Sequence, residues 1–123
     1  MNNRTLIDAG DVHPGAQGKI ANYQSALLQE VLETIAENDV VVVGMAQNPF
    51  VKKARAPLKG RGVHFTYLEY GSYLNAWRRR LALKMWTGWP TFPMVFVKGT
   101  LIGGHSELER LAASGELDQL ITN

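Results

Sequence analysis

The 123-residue chain contains no cysteine. It can supply no disulfide, no thiolate nucleophile, no cysteine-ligated zinc and no iron–sulfur cluster held by its own thiolates. Long apolar runs are missing too. None approaches the roughly 18 residues of a spanning helix, so no transmembrane segment is expected. Met1–Asp11 lacks the apolar stretch of a signal peptide, so export is not expected. Missing thiols and a missing signal together fit the cytoplasm. Neither sign of charge dominates: 13 basic residues face 11 acidic ones, a net charge of +2. That is too weak to require nucleic acid, and the short Arg78–Arg80 run lacks an interleaved aromatic platform. No membrane partner is expected.

What is present is ordinary for a folded chain: 46% hydrophobic and 20% charged residues. This excludes a largely disordered protein, and the length suits one domain with a core of its own. Residues 1–18 are polar and read as a loose lead-in, with His13-Pro14-Gly15 a turn or helix entry. Residues 19–123 read as the single domain.

Between Lys19 and Asn38, Ile20, Tyr23, Leu27, Leu28, Val31, Leu32 and Ile35 recur with helical spacing and predict one amphipathic helix. Val40–Val43 is a β-branched run too short for a helix, hence a buried strand. Val63–Glu69 alternates, with Val63, Phe65 and Tyr67 on one face. Ser72–Trp86 is rich in helix formers, with Leu74, Trp77, Leu81 and Met85 at helical spacing. Met94–Val97 and Thr100–Ile102 are short strands about a turn at Gly99. Helices are expected at Ser106–Ala113 and Glu116–Ile121. Pro57 should kink or shorten the helix that starts at Pro49. Two strands bridged by a helix suggest a parallel βαβ unit, and two joined by a tight turn suggest an antiparallel hairpin. A four-stranded mixed α/β sheet flanked by helices, with an extra helix at the N-terminal side, accommodates both.

This order resembles a thioredoxin-like fold, and local sequences are similar to the glutaredoxin family. Val41 to Val51 resembles the first strand and active-site loop, and Lys52-Lys53-Ala54-Arg55 the basic turn after it. Trp89-Pro90-Thr91-Phe92-Pro93 resembles the Trp-Pro-Thr-x-Pro segment of the monothiol branch. Ile102 to Leu108 resembles the Gly-Gly segment that opens the last helices. In this alignment Asn48 and Val51 stand where dithiol members carry their two cysteines. Disulfide oxidoreductase activity, the family's chemistry, therefore has no nucleophile here. The cluster ligand of the monothiol branch is also gone, so no iron–sulfur cluster and no metal are expected.

The resemblance implies a groove for glutathione built from Asn48, Phe50, Arg80, Thr91, Phe92, Pro93, Gly103, Gly104 and Ser106. Phe92 and Pro93 look like the family's cis-proline turn, whose backbone meets the cysteinyl part. Gly103 and Gly104 border the γ-glutamyl group. Ser106 matches a position that binds the α-carboxylate, and Arg80 one that binds the glycyl carboxylate. Met45 and Ala46 replace the family's active-loop lysine, which should weaken binding by the roughly 1.5–3 kcal/mol of a charge-assisted hydrogen bond.

The same residues have plainer readings. Asn48-Pro49 is a good helix N-cap followed by proline at the first helical position. The alternative is an amide donating to a ligand's sulfur, as glutathione transferases of this superfamily do. Ser106 with Glu109 reads as a capping box, alone or with carboxylate binding at the same terminus. Trp86 and Trp89 read as core, or with Phe50 and the Met45 loop as a protein-contact surface. His13, His64 and His105 lack metal-ligand spacing. Three functions follow: a non-catalytic glutathione binder that senses, carries or scaffolds; a transferase using bound glutathione as nucleophile; or a protein-interaction module with a vestigial groove.

Overall fold

The protein, seen in a computed structural model, is described for residues 4–122. A 3-10 turn at Ala9–Asp11 leads to helices α1 (Pro14–Asn22) and α2 (Ser25–Glu37). Strand β1 (Val40–Gly44), helix α3 (Pro49–Gly60) and strand β2 (Thr66–Glu69) follow. Then come helix α4 (Trp77–Thr87), strands β3 (Met94–Val97) and β4 (Thr100–Gly103), and helices α5 (His105–Ser114) and α6 (Glu116–Thr122).

The four strands form one sheet in the order β2-β1-β3-β4. β1 runs parallel to β2 and antiparallel to β3, and β3 is antiparallel to β4. This is the thioredoxin-like arrangement. Every residue of β1 is buried. A central strand covered on both faces selects a continuous β-branched run rather than alternation. Its side chains divide between two cores. Val41 and Val43 pack with Leu27 and Val31 of α2, Ala82 and Leu83 of α4, and Met94 and Phe96. Val40 and Val42 pack with Ala54 and Leu58 of α3, Leu108 and Ala112 of α5, Leu117 of α6, and Val95 and Val97. Each fully buried valine or leucine contributes roughly 1.5–3 kcal/mol.

The structure differs from expectation at several places. The strand predicted over Val63–Glu69 begins only at Thr66, and the helix predicted over Ser72–Trp86 begins only at Trp77, which leaves Leu74 in the turn before it. The helix predicted over Lys19–Asn38 is two helices, broken where Gln24 takes a left-handed conformation at φ 51°. The first of them begins at Pro14, inside the predicted lead-in. α3 is not shortened at Pro57 but runs on to Gly60. Proline removes the bond to the Lys53 carbonyl and crowds that group, but Lys53 is exposed, so the carbonyl can tilt outward to water. The row Trp77, Leu81 and Met85 does lie on α4, but it faces solvent. α4 buries Arg80, Ala82 and Leu83 instead. Periodicity identified a face without identifying which side the sheet would take.

Candidate functional site

The loop after β1 reverses the chain through Gln47, at φ 64°, and delivers Asn48 to the start of α3. The Asn48 amide is engaged at both ends. Its Oδ1 accepts from the Phe50 N–H at 2.9 Å and the Val51 N–H at 3.2 Å. Its Nδ2 donates to the Phe92 carbonyl at 3.4 Å. One side chain thus caps α3 and ties it to the loop before β3. The Phe92–Pro93 peptide is cis.

The start of α5 lies opposite and is built differently. Its N-cap is Gly104, which has no side chain to offer. Glu107 reaches back, and its Oε1 accepts from the Gly104 N–H at 3.0 Å. The capping pair is therefore Gly104 and Glu107, a correction to the predicted Ser106 and Glu109. Ser106 sits inside the first turn, exposed. The N–H groups of His105, Ser106 and Glu107 have no acceptor within the helix. Gly103 is required just before them: it holds φ 119°, and a Cβ there would lie 2.6 Å from Glu107 Cγ.

Between the two helix starts is a cleft of about 320 Å³ lined by Phe50, Trp89, Thr91, Phe92, Pro93 and the residues Gly104 to Glu107. It is at the small end of the roughly 300–1,000 Å³ typical of ligand sites. Two polar features of its wall, on Trp89 and His105, were not assigned to the groove from sequence. Trp89 Nε1 is buried with no hydrogen-bond partner. A Cβ on Gly104 would stand 3.4 Å from that nitrogen. His105 faces the Phe50 ring at 6.1 Å between centroids, and its Nε2 is 3.4 Å from Glu109 Oε2. Its position directly after Gly103-Gly104 is the signal that could have found it.

On the other side of Asn48, a second cleft of about 280 Å³ is lined by Met45, Gln47, Lys52, Arg55, Tyr67 and Glu69 among others. The Arg55 guanidinium lies 4.1 Å from the Tyr67 ring centroid. The Tyr67 hydroxyl donates to Glu69 Oε1 at 2.9 Å. Burial, with that hydrogen bond, pushes the Tyr67 hydroxyl up to about 12.

Arg80 is not brought to either cleft. It is 8% exposed, and its Nη1 donates to the carbonyls of Tyr70, at 3.2 Å, and Asn75, at 2.5 Å. Lys84, four residues on, is the cation α4 directs toward the site: its Nζ is 5.7 Å from the Phe92 ring centroid. Phe50 and Trp89 share the first cleft, whereas Trp86 stacks on Phe96 and lines a separate hollow with Ile20, Tyr23 and Met85. The three aromatics do not form one patch. Among the described residues, no group of three or more His, Asp or Glu side chains converges as a metal site would need.

The family model named Glutaredoxin matches residues 40–102, from the start of β1 into β4. The chain belongs to the glutaredoxin family. A glutaredoxin-like protein of Dictyostelium discoideum is 59% identical over 85 residues, covering 69% of each chain. The mitochondrial glutaredoxin-2 of Bos taurus is 31% identical over 120 residues, 94% of this chain and 73% of that protein. Among solved structures, a wheat glutaredoxin superimposes with a TM-score of 0.70 at 29% identity, over 80% of this chain and 92% of that one. A buckwheat glutaredoxin–glutathione complex gives a TM-score of 0.73 at 23% identity, over 82% and 92%. This glutaredoxin-family chain carries no cysteine, and the capping amide of Asn48 stands at the start of α3.

Proposed function

We propose that this glutaredoxin-family chain binds glutathione, or a similar γ-glutamyl thiol, without exchanging disulfides, in a sensing, carrier or scaffold role in the cytoplasm. The observation that carries this reading is the open first turn of α5 beside a cleft walled by Phe50, Trp89, Phe92 and Pro93. Unpaired N–H groups and the helix dipole favour a carboxylate there, and Lys84 adds a cation on the Phe92 side. The related buckwheat protein was solved with glutathione. The transferase reading is less favoured. It needs the Asn48 amide free for a ligand's sulfur, and both ends of that amide are already engaged.

The test is a calorimetric titration with reduced and with oxidised glutathione. Wild-type protein should bind in the micromolar to low-millimolar range. Ser106→Trp, an exposed position at the mouth of the cleft, should abolish the heat without lowering the melting temperature. Absence of heat at several millimolar for wild type would overturn the reading. Arg80→Ala is a poor test, because that residue holds the Tyr70–Asn75 segment.

A further inference from the structure

A second feature lies away from the cleft, in the turn between β2 and α4. Tyr73 and Leu74 form its tip, and Leu74 is 91% exposed. Turn tips ordinarily carry glycine or polar residues. This one is nonetheless built firmly. The Asn75 N–H donates to the Ser72 carbonyl, the Leu74 N–H to Ser72 Oγ, and the Ser72 N–H to Asn75 Oδ1. Gly71, at φ 70°, leaves no room for a Cβ, which would fall 2.4 Å from the Cβ of Ala76. Beneath the turn is Arg80, a buried guanidinium whose hydrogen bonds go to the carbonyls of Tyr70 and Asn75. Burying an arginine without a carboxylate partner is unfavourable. Here it fixes an apolar tip in solvent.

The apolar row continues from the tip along α4. Trp77 is 56% exposed and Met85 50%, with Leu81 between them. At 100° per residue, Arg78 falls on one flank of this row and Lys84 on the other. The Arg78 guanidinium lies 4.7 Å from the Trp77 ring centroid. From Tyr70 to Ser106 the chain has no acidic residue. Two acids beside this segment are already engaged: Glu30 accepts from the Tyr70 hydroxyl and Glu69 from that of Tyr67.

We propose that the Ser72–Asn75 turn and the exposed face of α4 are a peripheral docking surface for an anionic lipid bilayer. Tyr73, Leu74 and Trp77 enter the interfacial region, and Arg78 pairs with the headgroups. Tryptophan and tyrosine suit that boundary because each has an apolar body and a polar tip. Arginine and lysine lay their stems along apolar surface while the charge stays wet. A second copy of this chain fits less well, since both flanks of the row are cationic and pairing two such rows would set like charges together.

The experiment is flotation with phosphatidylcholine vesicles, with and without phosphatidylserine. The protein should partition onto the phosphatidylserine vesicles, and Trp77 emission should shift to the blue. Leu74→Glu should weaken partitioning about tenfold or more. Arg78→Ser should weaken it about fivefold, an effect that salt removes. Both sites are exposed, so melting temperatures should not move, and glutathione titration should be the same in Leu74→Glu as in wild type. No partitioning at low salt would overturn the proposal, as would partitioning that Leu74→Glu leaves unchanged. A solution dimer that Leu74→Glu dissociates would instead assign the face to a second copy.

Discussion

The helices that open on the main cleft, α3 and α5, start in opposite ways. α3 begins with an asparagine whose amide satisfies two of the helix's own N–H groups and one carbonyl across the cleft. α5 begins with a glycine that satisfies none, and its only cap is a carboxylate reaching back to the Gly104 N–H. The first terminus is closed by its own side chain, and the second is left open to a ligand. The difference separates two functions the family combines. The α3 end is a structural joint, and the α5 end is where the proposed ligand's carboxylate would be held.

The largest expected effect breaks the closure at α3. Asn48→Cys puts a thiol at the N-terminus of a helix whose first turn carries Lys52 and no acid. The helix dipole should draw its pKa below the ordinary value of about 8.5. Incubation with oxidised glutathione should give a mixed disulfide, seen as a mass increase, where wild type shows none. If the thiol is accessible to a small alkylating agent yet forms no mixed disulfide, the cleft does not hold glutathione beside α3.

Next in size is a stability contrast between the two termini. Asn48→Ala removes a cap and the bond to Phe92, and should cost about 1–2 kcal/mol in denaturant unfolding. Ser106→Ala removes no hydrogen bond and should stay within about 0.5 kcal/mol of wild type. Equal losses would mean that Ser106 caps α5 in solution and that the two termini are alike.

The contrast was only half legible in the sequence. Asn48-Pro49 after a buried strand announced a capped helix directly, because cap chemistry is local. The N-cap of α5 lies two residues before the one the sequence suggests, since Ser106 with Glu109 satisfies the same pattern as a true capping box. A glycine N-cap leaves no side-chain signal, and only the strand ending at Gly103 fixes the register. The sheet order was legible because Val40–Val43 and Met94–Val97 are short, apolar and bounded by turn residues. Arg80 was not, because three consecutive arginines differ only in which way the helix turns them, and α4 turns this one inward. The same rotation put Trp77, Leu81 and Met85 outside, a choice set by packing against α2 and β1 rather than by the spacing of apolar residues.

The smallest expected effect sharpens the comparison within α5 itself. Glu107 both caps the helix and places a negative charge where a ligand's carboxylate would approach, so its two roles conflict. Glu107→Gln keeps an acceptor for the Gly104 N–H but removes the charge. The charge–dipole contribution of about 0.3–1 kcal/mol is then lost, and the melting temperature should fall slightly. The same charge no longer competes with the ligand, so glutathione should bind about two- to fivefold more tightly. Opposite signs for stability and affinity would identify the α5 terminus as the anion-binding end of the cleft. A fall in stability with unchanged or weaker affinity would place the ligand's carboxylate elsewhere, with Lys84 beside Phe92 the next group to mutate.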